Sequence, residues 1–139
     1  MLTLVDAKRI IAAAEKKAEE IGQPMNIAVV DAGGNLVAHV RMDNAWIGSV
    51  DISINKAWTA RAFDISTKEL AEISQSGDQF FGIHVSNHGR VMIFAGGIPL
   101  KRGDGQTAFT VGAEDVPSLR IECGTIRSRS DFRRRHDLA

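Results

Sequence analysis

The chain is poor in cysteine: Cys123 is the single one among 139 residues. It has no internal disulfide to form, which fits a reducing compartment. A net charge of either sign is also missing, since 17 basic residues balance 17 acidic ones. Such a chain lacks the broad positive field of a nucleic-acid binder. No apolar run approaches the roughly 18–20 residues needed to cross a bilayer. Asp6, Lys8 and Arg9 interrupt any basic-then-apolar leader. There is neither an internal repeat nor a low-complexity linker. These absences point to a cytoplasmic protein with no nucleic-acid or membrane partner. What is present, 44% hydrophobic and 24% charged residues in 139, suits one soluble domain.

Thr3 and Asp6 form a loose capping box, after which Ala7, Ile10, Ile11, Ala14, Ala18 and Ile21 recur at helical spacing. Gly22 and Pro24 stop that helix. Asn26 to Asp31 is a β-branched run, Ala32 to Asn35 a turn, and Leu36 to Met42 alternates, predicting a hairpin. In a regular strand His39 and Arg41 share a face with Val37. Ile47, Val50, Ile54, Ala57, Trp58 and Arg61 suit a second amphipathic helix, with Lys56 off the apolar stripe and Asp51 nearer its edge. Ser66 and Glu69 cap a third, shorter helix running through Ile73. Phe80 to Val85 and Arg90 to Ala95 read as strands around an Asn87-His88-Gly89 turn, and Thr107 to Val111 as a fifth strand after Asp104-Gly105. The order predicts an α+β domain with an antiparallel sheet. From Pro117 onward six arginines face three acids and apolar periodicity fades. The domain is therefore set at 1–116, with 117–139 an atypical Arg-rich tail expected to be poorly ordered.

Few motifs for chemistry are present. His84 and His88 have zincin-like spacing but flank a predicted strand end, so no metal site is expected. Glu15, Glu19 and Glu20 read as a solvated face balanced by Lys16 and Lys17. Cys123 has no histidine near it in sequence, and no nucleophile elbow, P-loop or dinucleotide fingerprint occurs. Arg133-Arg134-Arg135 is too short a run to define a phosphate site. The stronger constellation is Arg41, Asp43 and Lys56. An arginine fork matches a carboxylate, so these residues either grip a small acidic ligand or close on themselves as Arg41–Asp43 and Lys56–Asp51 pairs. Trp46, Phe63, Phe80 and Phe81 offer aromatic surface for a flat ring, though most of them are expected in the core.

Val29-Val-Asp-Ala-Gly-Gly-Asn35, Arg41-Met-Asp43, Asn55-Lys-Ala-Trp-Thr-Ala60, Thr67-x-x-Leu70 and Phe94-Ala-Gly-Gly-Ile-Pro99 occur in that order. Together they resemble the GlcG/HbpS-like family, which is related to the C-terminal domain of PduO-type corrinoid proteins. The likeness runs from about Leu4 to Leu100 and weakens beyond, where the tail is either native or the product of an altered reading frame. The resemblance implies a profilin-like α/β/α domain with a five-stranded antiparallel sheet, assembled as homo-dimers or larger oligomers. Several relatives bind haem, and some are linked to haem or corrinoid handling. As binding residues it implies Arg41, Asp43, Lys56, Gly96, Gly97 and Pro99. His39 joins them from its place beside Arg41. It assigns no iron ligand. The leading expectation is thus a small-ligand-binding protein for haem or a related planar anionic cofactor, rather than an enzyme. The alternatives are an enzyme or accessory factor acting on a small hydroxy acid, diol or aldehyde in a catabolic operon, with His39 or Asp43 as base, and a structural oligomeric partner.

Overall fold

The computed structural model describes residues 1–101 and 105–113. Helix α1 (Leu4–Glu20) is followed by β1 (Asn26–Asp31), β2 (Leu36–Arg41), α2 (Ser49–Phe63) and α3 (Thr67–Glu72). An irregular stretch with a short 3-10 turn at Ile83–Val85 leads to β3 (Gly97–Lys101) and β4 (Thr107–Ala113). The sheet order is β2-β1-β4-β3, and every neighbouring pair is antiparallel. The Arg-rich tail, Cys123, His136 and the Asp104 half of the expected turn lie outside the described residues.

Both capping boxes form. The Thr3 hydroxyl accepts from the Asp6 N–H at 3.2 Å while the Asp6 carboxylate accepts from the Thr3 N–H at 3.0 Å. Ser66 and Glu69 repeat this at 3.1 and 2.9 Å. Each closes two N–H groups that a helix start would leave bare.

The sheet lies between two helical layers. Ile27 and Val29 of β1, with Val111 and Ala113 of β4, pack under the Ala7, Ile10, Ile11, Ala14 and Ala18 stripe of α1. Residues of the other parity, Ala28 and Val30, meet Ala57 of α2. The α1 side is a conventional aliphatic core, where each enclosed Ile or Val contributes about 1.5–3 kcal/mol.

The α2 side is built differently. Its buried residues are Ser49, Ser53, Lys56, Ala57, Thr59 and Ala60, whereas Ile47, expected on the apolar stripe, is 76% exposed. The expected stripe is therefore corrected to a stripe of small and polar side chains. The cause is how near the helix comes to the sheet. A Cβ on Gly112 would stand 2.6 Å from the Ala57 nitrogen and closer still to the Ser53 carbonyl oxygen, and one on Gly97 would stand 2.5 Å from the Lys56 carbonyl oxygen. Backbone touches backbone there, and large side chains have no room.

Four strands, rather than the five expected, are present among the described residues. Neither Phe80–Val85 nor Arg90–Ala95 is a strand. Gly82, inside the first expected strand, takes a φ of 85°, which breaks an extended run, and Asn87, His88 and Gly89 turn the chain at 51°, 59° and 71°. The backbone at 90–92 is bonded by a helix side chain instead: Thr59 Oγ1 donates to the Arg90 carbonyl and accepts from the Met92 N–H at 3.0 Å. Trp46, Phe63, Phe80 and Phe81, most of them expected in the core, are all exposed instead. Trp46 is 78% exposed and Phe81 65%.

Gly112→Ala is expected to cost about 3 kcal/mol or more, at the upper end of overpacking penalties. Urea unfolding measures it, and a variant within about 0.5 kcal/mol of the parent would contradict the close-packed interface.

Candidate functional site

Antiparallel pairing brings four chain positions to one end of the sheet. Asn26 stands opposite Arg41, Ile27 opposite Ala113, and Gly112 opposite Gly97. The end of β2, the start of β1, the end of β4 and the start of β3 therefore adjoin, and most of the expected site residues lie here.

Arg41 closes β2 on the α2 side of the sheet, the face it shares with His39 through the pairings Asn26–Arg41 and Ala28–His39. Helix α2 lies over β4, β1 and β3 and touches β2 little, so these side chains stand beside the helix rather than under it. The Arg41 Nε donates to the Ala45 carbonyl at 3.0 Å. Asn44, with φ of 67°, turns the chain back to make that contact. The Met42 N–H bonds the Met25 carbonyl at 3.0 Å, and Asn26 Nδ2 bonds the Trp46 carbonyl at 2.9 Å. The loop is thereby pinned while Trp46 and Ile47 project outward, 78% and 76% exposed. Arg41, Met42, Asp43 and Asn44 line an open hollow of about 240 Å³. Arg41 makes no ion pair with Asp43 or any other acid among the described residues. Its two Nη groups thus remain available on an arm whose direction is already set.

Lys56 does not join it. The side chain is fully buried, its Nζ donates to the Ala113 carbonyl at 3.1 Å, and the ammonium lies 4.0 Å from the centre of the Phe94 ring. The expected position off the helix stripe, facing an open hollow, is corrected. Neither does Lys56 meet Asp51, which stays exposed about 140° round the helix. An enclosed cation needs such partners, because an ammonium without water or a dipole is costly. Gly96 and Gly97 belong to this enclosure. A Cβ on Gly96 would reach within 2.9 Å of Lys56 Nζ and 2.4 Å of the Ala113 oxygen, and Gly96 has a φ of 126°. The Gly97 N–H is taken by Thr67 Oγ1 at 2.8 Å. Pro99 stands opposite Thr110 in the β3–β4 ladder, half-buried. These glycines and Lys56 are packed against one another.

His39 is half-buried, and its Nε2 is enclosed without a hydrogen-bond partner among the described residues. Burial lowers its pKa from the usual 6.5 by penalising the charged ring. At neutral pH it is a neutral imidazole with an acceptor or donor to spare.

Four contact residues were not proposed as site residues from the sequence: Asn55, Trp58 and Thr59 of α2, which fall in the family-like motif, and Arg90. All four join α2 to the segment after the 86–89 turn. The Arg90 guanidinium stacks 4.3 Å from the Trp58 ring centre and its Nε bonds Asn55 Oδ1 at 3.2 Å. The available signal was the polar spacing of Asn55, Thr59 and the indole between them. A larger hollow of about 400 Å³ opens at the opposite end of the sheet, around Ala32, Arg61, Asp64, Lys101 and Thr107. There Arg61 is engaged with Asp64 at 2.9 Å.

Comparison with known proteins places this geometry in context. The family model described as haem degrading protein HbpS-like matches residues 2–114, past the point at Leu100 where the motifs fade. An uncharacterized 15.0 kDa protein from the dhaT-dhaS intergenic region of Citrobacter freundii is 42% identical over 99 residues, 71% of this chain and 70% of that one. The corrinoid adenosyltransferase PduO of Salmonella typhimurium is 33% identical over 101 residues, 73% of this chain. The aligned part is 30% of PduO, so the likeness spans under a third of that enzyme. Among solved structures, Klebsiella pneumoniae protein ORFY superposes with a TM-score of 0.78 at 40% identity, covering 81% of this chain and 77% of that one. A PduOC:heme complex gives 0.77 at 32% identity, covering 81% of each. HbpS gives 0.72 at 30%, covering 84% and 79%.

Two outcomes are expected. Lys56→Met leaves the Ala113 carbonyl without its donor and loses about 1–3 kcal/mol in urea unfolding; stability equal to the parent would mean the ammonium is not structural. Because the folded pKa of His39 lies below 6.5, the unfolded chain binds the proton first. Stability is then held above that pH and falls as the solution is acidified below it. His39→Gln should flatten that part of the stability–pH curve, and an unchanged curve would exclude His39 as its source.

Proposed function

This chain belongs to the HbpS-like family, and we propose that it binds haem or a related planar anionic cofactor at the Arg41 end of the sheet. The observation that carries this reading is the Arg41 fork, fixed through Nε to the Ala45 carbonyl, unpaired with any acid among the described residues, and beside exposed Trp46 and Ile47. The PduOC:heme complex among its structural neighbours supports the ligand class.

The residues fit such a group in part. The two Nη atoms match a propionate carboxylate. Trp46 and Ile47 offer apolar area for a ring, and a neutral His39 on the same strand face is in the state that can accept a bond. The hollow of about 240 Å³ is smaller than the roughly 300–1,000 Å³ usual for cofactor pockets. It suits the acid arm, while the ring lies over the apolar rim. Bound haem would supply the redox-active iron; the chain's part is to hold the carboxylate and to shield the ring. Asp43 borders the hollow and brings its formal charge, with that of Arg41, to zero, so the match to the carboxylate rests on the geometry of the fork. Lys56, Gly96, Gly97 and Pro99 support the site from behind by fixing the strand ends.

A homo-oligomer in the cytoplasm is part of the same reading. Trp46, Ile47, Phe81 and Val85 are 78%, 76%, 65% and 72% exposed, apolar side chains that a second copy of the chain would cover.

Titration of the purified protein with hemin is expected to give a saturable Soret shift at micromolar concentration. Arg41→Ala should weaken it about tenfold to a hundredfold, the usual worth of a charge-assisted bond, and Phe81→Ala should leave it unchanged. No saturable shift in the parent would overturn the haem reading.

A further inference from the structure

Arg90 stands outside that site and shares no residue with it. Its backbone is clamped to α2 through the two Thr59 hydroxyl bonds. Its guanidinium lies flat at 4.3 Å from the centre of the Trp58 ring, and its Nε donates to Asn55 Oδ1 at 3.2 Å. Asn55 and Trp58 are three positions apart on one helix, so both supports are carried by the same rigid face. Trp58 is itself braced by the hairpin turn, where a Cβ on Gly34 would come within 3.2 Å of the indole.

A cation held this firmly normally has an acid beside it. Arg90 has none among the described residues. Partial burial lowers its pKa, because the guanidinium loses some of its water. Stacking on Trp58 returns part of that loss but leaves the charge unbalanced.

What remains open on Arg90 is defined by what is occupied. Nε is used and one ring face is covered, so the free edge is the one formed by the two Nη groups. Asn55 spends its Oδ1 on Nε, which leaves its Nδ2 as a further donor. The edge presents donors only. Two coplanar oxygens fit the two Nη groups of a guanidinium, and a single negative charge matches the single unbalanced positive one. A phosphate dianion would call for a second cation, and neither contact of Arg90 is one. We propose that Arg90, held by Asn55 and Trp58, binds the carboxylate of a small organic acid. This does not rest on the haem reading.

The sequence has two tryptophans, so Trp46→Phe leaves Trp58 as the reporter directly under the guanidinium. In that background, sodium glycolate is expected to change the fluorescence saturably at millimolar concentration and to raise the melting temperature in parallel. Sodium phosphate at equal ionic strength should bind at least about tenfold more weakly. Arg90→Lys keeps the charge but not the fork or the stack, and should weaken glycolate at least about tenfold while unfolding as cooperatively as its parent. No saturable response in the parent, phosphate binding as tightly as glycolate, or an undiminished response in a folded Arg90→Lys variant would each overturn the proposal. The first two are read without the variant.

Discussion

The approach of helix α2 to the sheet governs the rest of the molecule. At Gly112 and Gly97 the helix backbone rests against the strands where any Cβ would collide. That contact dictates small residues at Ser53 and Ala57 and steers the helix over β4, β1 and β3. It therefore leaves β2 uncovered on that side. The helix-free face bearing His39 and Arg41 follows from two missing methyl groups on β4 and β3, while the bulge between Val29 and Val30 turns Val37, expected on that face, toward the α1 core.

The same helix turns its other positions into a clamp. Within Asn55-Lys-Ala-Trp-Thr-Ala60, Ala57 and Ala60 are buried. Asn55, Trp58 and Thr59 hold the chain at 90–92, and Lys56 reaches the end of β4. The segment at 90–92, which pairs with no strand among the described residues, is anchored by side chains instead. Most of that motif is internal scaffolding, and it leaves one arginine, Arg90, with its fork partly open.

Electrostatics separates the two cations first grouped together. Lys56 has a flexible stem that reaches inward to a carbonyl and a ring, where a point charge is well served by a dipole and a π face. Arg41 has a planar head with several donors, of which the Ala45 carbonyl takes one. The remainder face the hollow. Residue type and spacing placed both on adjacent elements, but spacing along a helix cannot say whether the position beneath it is a glycine. His39 shows the converse: strand alternation alone put it on the Arg41 face, and the β1–β2 register agrees.

Capping boxes, the α1 stripe, the first hairpin and the α+β class were legible in the chain because each depends on contacts within a few residues. The same holds for the face shared by His39 and Arg41. What sequence could not reveal was decided across the sheet. The loss of two expected strands, the burial of Lys56 and the pairing of Arg90 with Asn55 and Trp58 all depend on residues 31 to 57 positions apart. Local pattern records which side a residue faces. Only the assembled layers determine how near the opposing backbone stands, and that distance decides which charges are enclosed and which stay open.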